Sequence, residues 1–195
     1  MDRQYYSQLA DKSIAGELLK REAAKEILIS QEIELMPLLN AAYEVRKKFV
    51  GNEVTVHIIN NAQNGYCPED CHYCAQAKSS QANIEEYPIK SDQEILAEAK
   101  NAYDKGAYRY CMVFAGRGPS QGRVEHLARL IRAIKSKYPI EICVSTGLLD
   151  KNKAQILSDA GLDSLNHNLN TSERHYPKIC TTHTYEQRVN HVEMA

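Results

Sequence analysis

From Glu53 onward the chain alternates short β-branched or aromatic runs with amphipathic helical stretches, and this alternation leaves few folds open. The strand-like runs fall at 54–59, 108–115, 140–146 and 162–169. Helical patterns occupy 92–105, 124–137 and 151–160, and a last helical start lies at 184–194. Ser91 and Asp150 stand where N-caps are expected, and Gly106 and Gly161 where helices stop. Strands separated by helices of this length are joined by crossovers and pair in parallel. Residues 1–50 read differently. They are rich in Leu, Ala, Glu and Lys and are expected to form helices that include Leu18, Leu19, Ile27 and Leu28. Leu35, Leu38, Leu39, Ala42 and Tyr43 share one helical face, with Pro37 in the first turn and Gly51 closing the segment. The expected division is therefore a helical segment over 1–50 and a βα domain over 51–195.

Parity within the strands sharpens the expectation. Ile140, Ile142 and Val144 are apolar, whereas Glu141, Cys143 and Ser145 alternate with them. Tyr108, Tyr110, Met112 and Phe114 alternate in the same way with Arg109, Cys111 and Val113. Asn166, Asn168 and Asn170 share a face opposite Leu165, His167 and Leu169. A strand covered by helices on both faces is apolar on both. A chemically loaded face in strand after strand fits the lumen of a (βα) barrel used as a site; the competing reading is a half-solvated antiparallel sheet. A complete eight-fold barrel takes ~250 residues. At 195 residues the expectation is α/β with the first four strands of a TIM-type barrel, preceded by N-terminal helices.

Charge and cysteine usage narrow the function classes. With 24 basic and 25 acidic residues the net charge is −1, which argues against a nucleic-acid partner. No stretch approaches the ~20 apolar residues that cross a bilayer. Six cysteines are too few for a small disulfide scaffold, and no secretory leader pattern is present, so a cytoplasmic protein is expected.

Cys67, Cys71 and Cys74 form a C-x3-C-x2-C pattern directly after the first strand. Three thiols at this spacing are metal ligands before they are core cysteines. Structural zinc normally takes four protein ligands, and His72 is the sole neighbour that could add one. A redox Cys71/Cys74 pair leaves Cys67 without a role. A 4Fe-4S cluster held by three cysteines keeps one iron open for chemistry, and this reading fits best. Gly116-Arg-Gly-Pro-Ser lacks the ending of a phosphate loop and reads as a βα loop whose Arg117 could touch a ligand. His57, His126, His175 and His183 lack metal-ligand spacing and read as solvated or core histidines, and Cys180 reads as structural.

The motif, with an aromatic residue before its third cysteine, resembles the radical S-adenosylmethionine superfamily. Within it, a set of spaced motifs resembles the biotin synthase family over residues 20–195. These are Tyr66-Cys-Pro-Glu-Asp-Cys-His-Tyr-Cys-Ala-Gln, Arg109-Tyr-Cys-Met-Val, Gly116-Arg-Gly-Pro-Ser, Cys143-Val-Ser-Thr-Gly, Asn166-His-Asn-Leu-Asn-Thr-Ser and Thr181-Thr-His-Thr-Tyr. The resemblance implies that Cys67, Cys71 and Cys74 hold a 4Fe-4S cluster that binds and cleaves S-adenosylmethionine. Tyr73 would then lie beside the adenine, and Arg188 near the carboxylate of that cofactor. It further implies that Cys111 and Cys143 are two of four ligands of a sulfur-donating 2Fe-2S cluster. Parity alone puts these two thiols on one face and leaves ordinary buried cysteines as the alternative. Asn166, Asn168 and Asn170 would contact dethiobiotin and S-adenosylmethionine, and Arg109 lies on the same face. Many relatives carry Asp at the position of Asn170. For both arginines a plain salt bridge is an equal reading. The implied activity is sulfur insertion into dethiobiotin by a homodimeric enzyme, with an electron donor such as flavodoxin or ferredoxin. The alternatives are an N-terminal part that binds the cluster without turnover, and a related radical enzyme with another substrate.

Overall fold

The computed structural model describes residues 3–194. It divides into two compact units, Met1–Val54 and Thr55–Ala195. In the first, α1 (Arg3–Ile14), α2 (Arg21–Ile29) and α3 (Leu35–Val50) meet around Tyr6, Ala10 and Ala41, with Ile27, Leu38 and Val45 packed against them. Pro37 lies in the first turn of α3, and Gly51 follows its last residue. Two expectations fail here. Leu18 and Leu19 lie in the connection between α1 and α2, where Leu18 is 95% exposed. The packed side of α3 is the Leu38, Ala41, Val45 stripe, and Leu35, Leu39 and Tyr43 of the expected face are exposed. The stripe that packs is the one whose small residue, Ala41, lets α1 approach closely.

The second unit is a four-stranded parallel sheet in the order β1 (His57–Gln63), β2 (Arg109–Phe114), β3 (Glu141–Ser145) and β4 (Ser164–Leu165). The connecting helices are α4 (Asp92–Asp104), α5 (Gln121–Lys135) and α6 (Lys151–Asp159). Strand order equal to chain order, with a helix in every connection, is the arrangement of successive βα units in a TIM-type barrel. The helices begin where side chains satisfy free backbone donors. Ser91 and Glu94 form a reciprocal capping box on α4, and Ser120 and Asp150 cap α5 and α6. The cap on Ser120 starts α5 three residues before its first periodic residue, Val124.

One face of the sheet is apolar. Tyr110, Met112, Phe114, Ile142 and Val144 are buried with Val124, Leu127, Ile131 and Ile134 of α5, Ile95 of α4 and Leu157 of α6. The register places Arg109 beside Glu141, Cys111 beside Cys143 and Val113 beside Ser145 on the other face. Ser164 continues the Cys143 row.

Two strands depart from their expected bounds. β1 lies three residues later than 54–59, and Val54 and Val56 are exposed. Its buried Asn60, 2% exposed, enters the sheet because both ends of its carboxamide find partners: it donates to the Tyr110 hydroxyl at 2.6 Å and accepts from Lys90 Nζ at 3.0 Å. β4 has two residues, not the eight of 162–169. Asn166 N–H still bonds Val144 O, but beyond it Asn170 turns to φ +68° and the Asn168 carbonyl accepts from an arginine. The rest of the chain is a 3₁₀ turn (Glu173–His175), α7 (Tyr176–Ile179) and α8 (Tyr185–Met194). Among the described residues no helix is long and apolar enough to cross a membrane.

Candidate functional site

The 67–74 loop leaves β1 and coils into successive turns. Cys74 N–H bonds Cys71 O at 3.0 Å, Ala77 N–H bonds Cys74 O at 3.1 Å, and Lys78 N–H bonds Glu69 O at 2.9 Å. These turns bring Cys67, Cys71 and Cys74 to the wall of one pocket of about 180 Å³ at the C-terminal ends of the strands. Val113 and Ser145, near the ends of β2 and β3, form its floor, and Tyr73, Arg117, His167 and Arg188 also line it. This is the end at which (βα) barrels build their sites. Burial raises the pKa of Cys67, and burial followed by the neighbouring Cys180 pushes Cys71 up to about 11. As free thiols these two stay protonated at neutral pH, so a bound metal must displace their protons.

The chain before α8 clamps this loop in place. Asp70 accepts from the N–H groups of Thr181 at 2.9 Å and Thr182 at 3.2 Å, and from the Thr181 hydroxyl. Those donors hold its carboxyl well below the usual range. Glu69 is 6% exposed; it accepts from Thr182 Oγ1 at 2.8 Å, pairs with His183 Nδ1 and lies 3.6 Å from Arg117. Arg188, 8% exposed, ties the segments together. Its Nε donates to Tyr176 Oη at 3.0 Å and His183 Nε2 at 2.9 Å, its Nη1 to Asn168 O at 3.1 Å, and its Nη2 to Tyr73 Oη at 3.3 Å. Asn170 Nδ2 donates to the same Tyr73 oxygen.

Deeper on the same sheet face, Cys111 and Cys143 stand opposite one another with their sulfurs 3.1 Å apart, both 5% exposed. The Cys111 S–H donates to Cys143, which lowers Cys143 to about 7 and drives Cys111 far above the usual thiol range. The pair therefore gives up one proton more readily than a free thiol and holds the second more tightly. Asn166 bonds the Cys111 sulfur, and the charge of Arg109 favours the thiolate. Arg109 itself does not line the pocket. It sits at the opposite end of the strands, where Glu141 Oε2 accepts from its Nε at 2.9 Å and its Nη2 at 2.6 Å.

Two loops close against each other beside the pocket. Leu148 N–H bonds Arg117 O at 2.7 Å, so the loop after β2 meets the loop after β3 backbone to backbone. A Cβ on Gly147, where φ is +78°, would lie 2.3 Å from Arg117 O, and one on Gly118 would lie 2.4 Å from Leu148 O. Gly118 of Gly116-Arg-Gly-Pro-Ser and Gly147 of Cys143-Val-Ser-Thr-Gly are thus explained by one crossing.

The structure gathers Cys67, Cys71, Cys74, Tyr73, Asn168, Asn170 and Arg188 around the pocket mouth, and Cys111, Cys143 and Asn166 below it. Sequence reasoning singled out neither Glu69 nor Tyr176. Cys180, read as structural, is 2% exposed, and His183, read as solvated or core, is 5% exposed; both lie against the cysteine loop. Their partners on the cysteine loop lie more than a hundred residues away, although Cys180 and His183 themselves touch across a local C-x2-H spacing.

A histidine pair lies beside the pocket: His167 lines it, and His191 stands on α8. His167 Nδ1 and His191 Nδ1 are 2.7 Å apart, a bond that needs one proton and has no room for two. Burial, then the charge of Arg188, lowers His167 to about 3, and the same causes lower His191. The unfolded chain therefore binds protons below pH ~6.5 that the folded chain refuses. The contribution of these histidines to stability is expected to be constant above about pH 6.5 and to fall steadily as pH drops from there toward 3. Urea denaturation across this range checks it, and His191→Gln is expected to flatten the slope.

Comparison with known proteins adds a family and a fold. A family model described as the radical SAM superfamily matches residues 64–195. A protein named biotin synthase from Magnetococcus marinus is 54% identical over 187 residues, covering 96% of this chain and 58% of the relative. Another of that name from Acaryochloris marina is 51% identical over 182 residues, covering 93% of this chain and 53% of the relative. The chain thus spans a little over half the length of these curated relatives. Among solved structures, methylornithine synthase superposes with a TM-score of 0.83 at 23% identity, covering 96% of this chain and 55% of that one. At that identity the likeness concerns the fold.

Proposed function

The chain belongs to the radical SAM superfamily, and on that premise we propose that it carries the radical-generating site of a biotin synthase. The observation that carries the reading is the stacking of two thiol sets on one face of the sheet. Cys67, Cys71 and Cys74 ring the pocket mouth, and the Cys111/Cys143 pair lies beneath it on β2 and β3. The donor set at the mouth suits a 4Fe-4S cluster better than one ion. Among the described residues, the three motif thiols do not form a trio within 4.8 Å of one another, and a single tetrahedral ion needs ligands that close.

When bound, the cluster and S-adenosylmethionine would supply a 5′-deoxyadenosyl radical able to take hydrogen from an unactivated C–H bond of dethiobiotin. The chain's own residues position and shield. Arg188 brings a buried positive charge to the side of the pocket where a carboxylate would sit, and Tyr73 and Asn170 form a hydrogen-bonded ledge at its rim. The exposed carboxamides of Asn166, Asn168 and Asn170 can donate and accept at once, as a cyclic urea and ribose hydroxyls require. The apolar Val113 and Phe114 line the pocket and limit water around a reactive centre. Cys111 and Cys143, sharing one proton, are a site prepared for a thiolate-bound 2Fe-2S cluster, the proposed sulfur source. Arg109 acts on that pair through its charge. An electron donor such as flavodoxin or ferredoxin would reduce the upper cluster.

The test is anaerobic reconstitution with iron and sulfide, followed by incubation with a reductant, S-adenosylmethionine and dethiobiotin. Both 5′-deoxyadenosine and biotin are expected. 5′-Deoxyadenosine without biotin would assign the chain a radical site without sulfur transfer. Neither product from a brown, cluster-loaded protein would overturn the reading.

A further inference from the structure

Arg188 carries a buried charge whose hydrogen-bond partners are all neutral. They are Tyr176 Oη, His183 Nε2, Asn168 O and Tyr73 Oη, and among the described residues no carboxylate pairs with it. A charge held out of water normally has a counter-ion. These contacts use the Nε–H and one N–H on each terminal nitrogen, so each terminal nitrogen keeps one N–H for an anion in the pocket that Arg188 lines.

A countercharge is reached only through the imidazole of His183. Glu69, 6% exposed, pairs with His183 Nδ1, and His183 Nε2 faces Arg188 Nε at 2.9 Å. A guanidinium has no acceptor, so Nε2 must offer it a lone pair; an ionised carboxylate has no donor, so Nδ1 must carry the proton. Both ends of the ring demand the same neutral tautomer. The other tautomer would set an N–H against the Arg188 N–H. Glu69 is itself fixed, because Thr182 Oγ1 donates at 2.8 Å to the oxygen that meets His183, and Arg117 lies 3.6 Å from the other oxygen. Glu69 comes from the cysteine loop and His183 from Thr181-Thr-His-Thr-Tyr, 114 residues later, so two motifs converge on one guanidinium.

We propose that Glu69 and His183 are positioning residues for Arg188: the carboxylate holds the imidazole proton on Nδ1, and Nε2 holds the guanidinium so that its remaining N–H groups meet the carboxylate of S-adenosylmethionine. This rests on the placing of Arg188 against that carboxylate under the proposed function. Both residues act through Arg188.

Two measurements test it. In the anaerobic protein before cluster loading, the ring nitrogen-15 shifts of His183, assigned by their loss in His183→Gln, are expected to show a protonated Nδ1 and a bare Nε2 at neutral pH. A proton on Nε2 would overturn the positioning role, whether or not any variant loads a cluster. In the cluster-loaded protein without reductant, equilibrium dialysis reads the affinity for S-adenosylmethionine. His183→Leu, at wild-type iron and sulfide content, is expected to weaken binding by about 10–100-fold, as for the loss of a hydrogen bond to a charged group. His183→Gln, whose carbonyl can accept from Arg188 Nε, is expected to recover most of that loss. Arg188→Gln is expected to weaken binding at least as much as His183→Leu, and adding His183→Leu to it to change nothing further. Unchanged affinity in His183→Leu, or an equal further loss in the Arg188→Gln background, would overturn the positioning role and leave that of Arg188 intact. Unchanged affinity in Arg188→Gln would instead remove the placing of Arg188 on which the role depends.

Discussion

Serine at Cys67, Cys71 or Cys74 is expected to leave the reconstituted protein nearly colourless, with bound iron and sulfide close to zero. A 4Fe-4S cluster on three protein thiolates has no spare ligand, and a serine oxygen is a poor substitute for a soft thiolate. The loop itself should survive, because its turns are held by backbone bonds and by the Asp70 and Glu69 contacts, none of which uses the side chain of Cys67 or Cys74. Far-UV circular dichroism should therefore be unchanged while iron is lost. Cys180→Ser is the informative control. It sits 3.8 Å from Cys71 but outside the motif, so it is expected to retain the colour. A Cys74→Ser protein that keeps full iron and sulfide content would sink the assignment of the three thiols.

The second large effect is expected at a residue with no chemistry of its own. Gly147→Ala places a methyl group 2.3 Å from Arg117 O and 2.8 Å from Gly116 O, in a backbone conformation of φ +78° that an L side chain rarely adopts. Strain of this kind costs about 1–3 kcal/mol, and forced overpacking about 1–3 kcal/mol more. Neither obstacle is the tip of a flexible side chain that could swing away; both are backbone carbonyls. The expected loss is therefore roughly 2–6 kcal/mol in urea denaturation. Both loops also wall the pocket through Gly116, Arg117, Gly147 and Leu148, so a variant that folds should bind S-adenosylmethionine more weakly. A change below about 1 kcal/mol would show that the two loops can separate freely, contrary to their 2.7 Å backbone bond.

Helices and strand order were legible in the sequence because they follow from local rules. Ser91 and Asp150, expected as caps, cap α4 and α6, and apolar spacing on α5 matches the residues it buries. Strand parity placed Cys111 and Cys143 on one face before any coordinates, because side chains alternate strictly along a strand. Element bounds were less legible where polar residues found distant partners. β1 accepts Asn60 because Tyr110 and Lys90 answer its carboxamide, and the expected fourth strand ends at Leu165 as the backbone turns toward Arg188. The two short helical turns over 173–179 were invisible, since a single turn has no periodicity to read.

By itself the sequence determined the chemistry available: three thiols at a cluster spacing, two more on one strand face, and a family signature carried by motifs in fixed order. Tertiary structure alone decided which groups share those thiols. It put Cys180 and His183 against Cys71, made Arg188 a buried bridge between Tyr73 and Tyr176, and sent Arg109 to Glu141 at the far end of the strands. The physical reason is separation along the chain. Spacing reports on neighbours within a turn or a strand, whereas a contact between residues 71 and 180 exists only because parallel crossovers return each loop to the same end of the sheet.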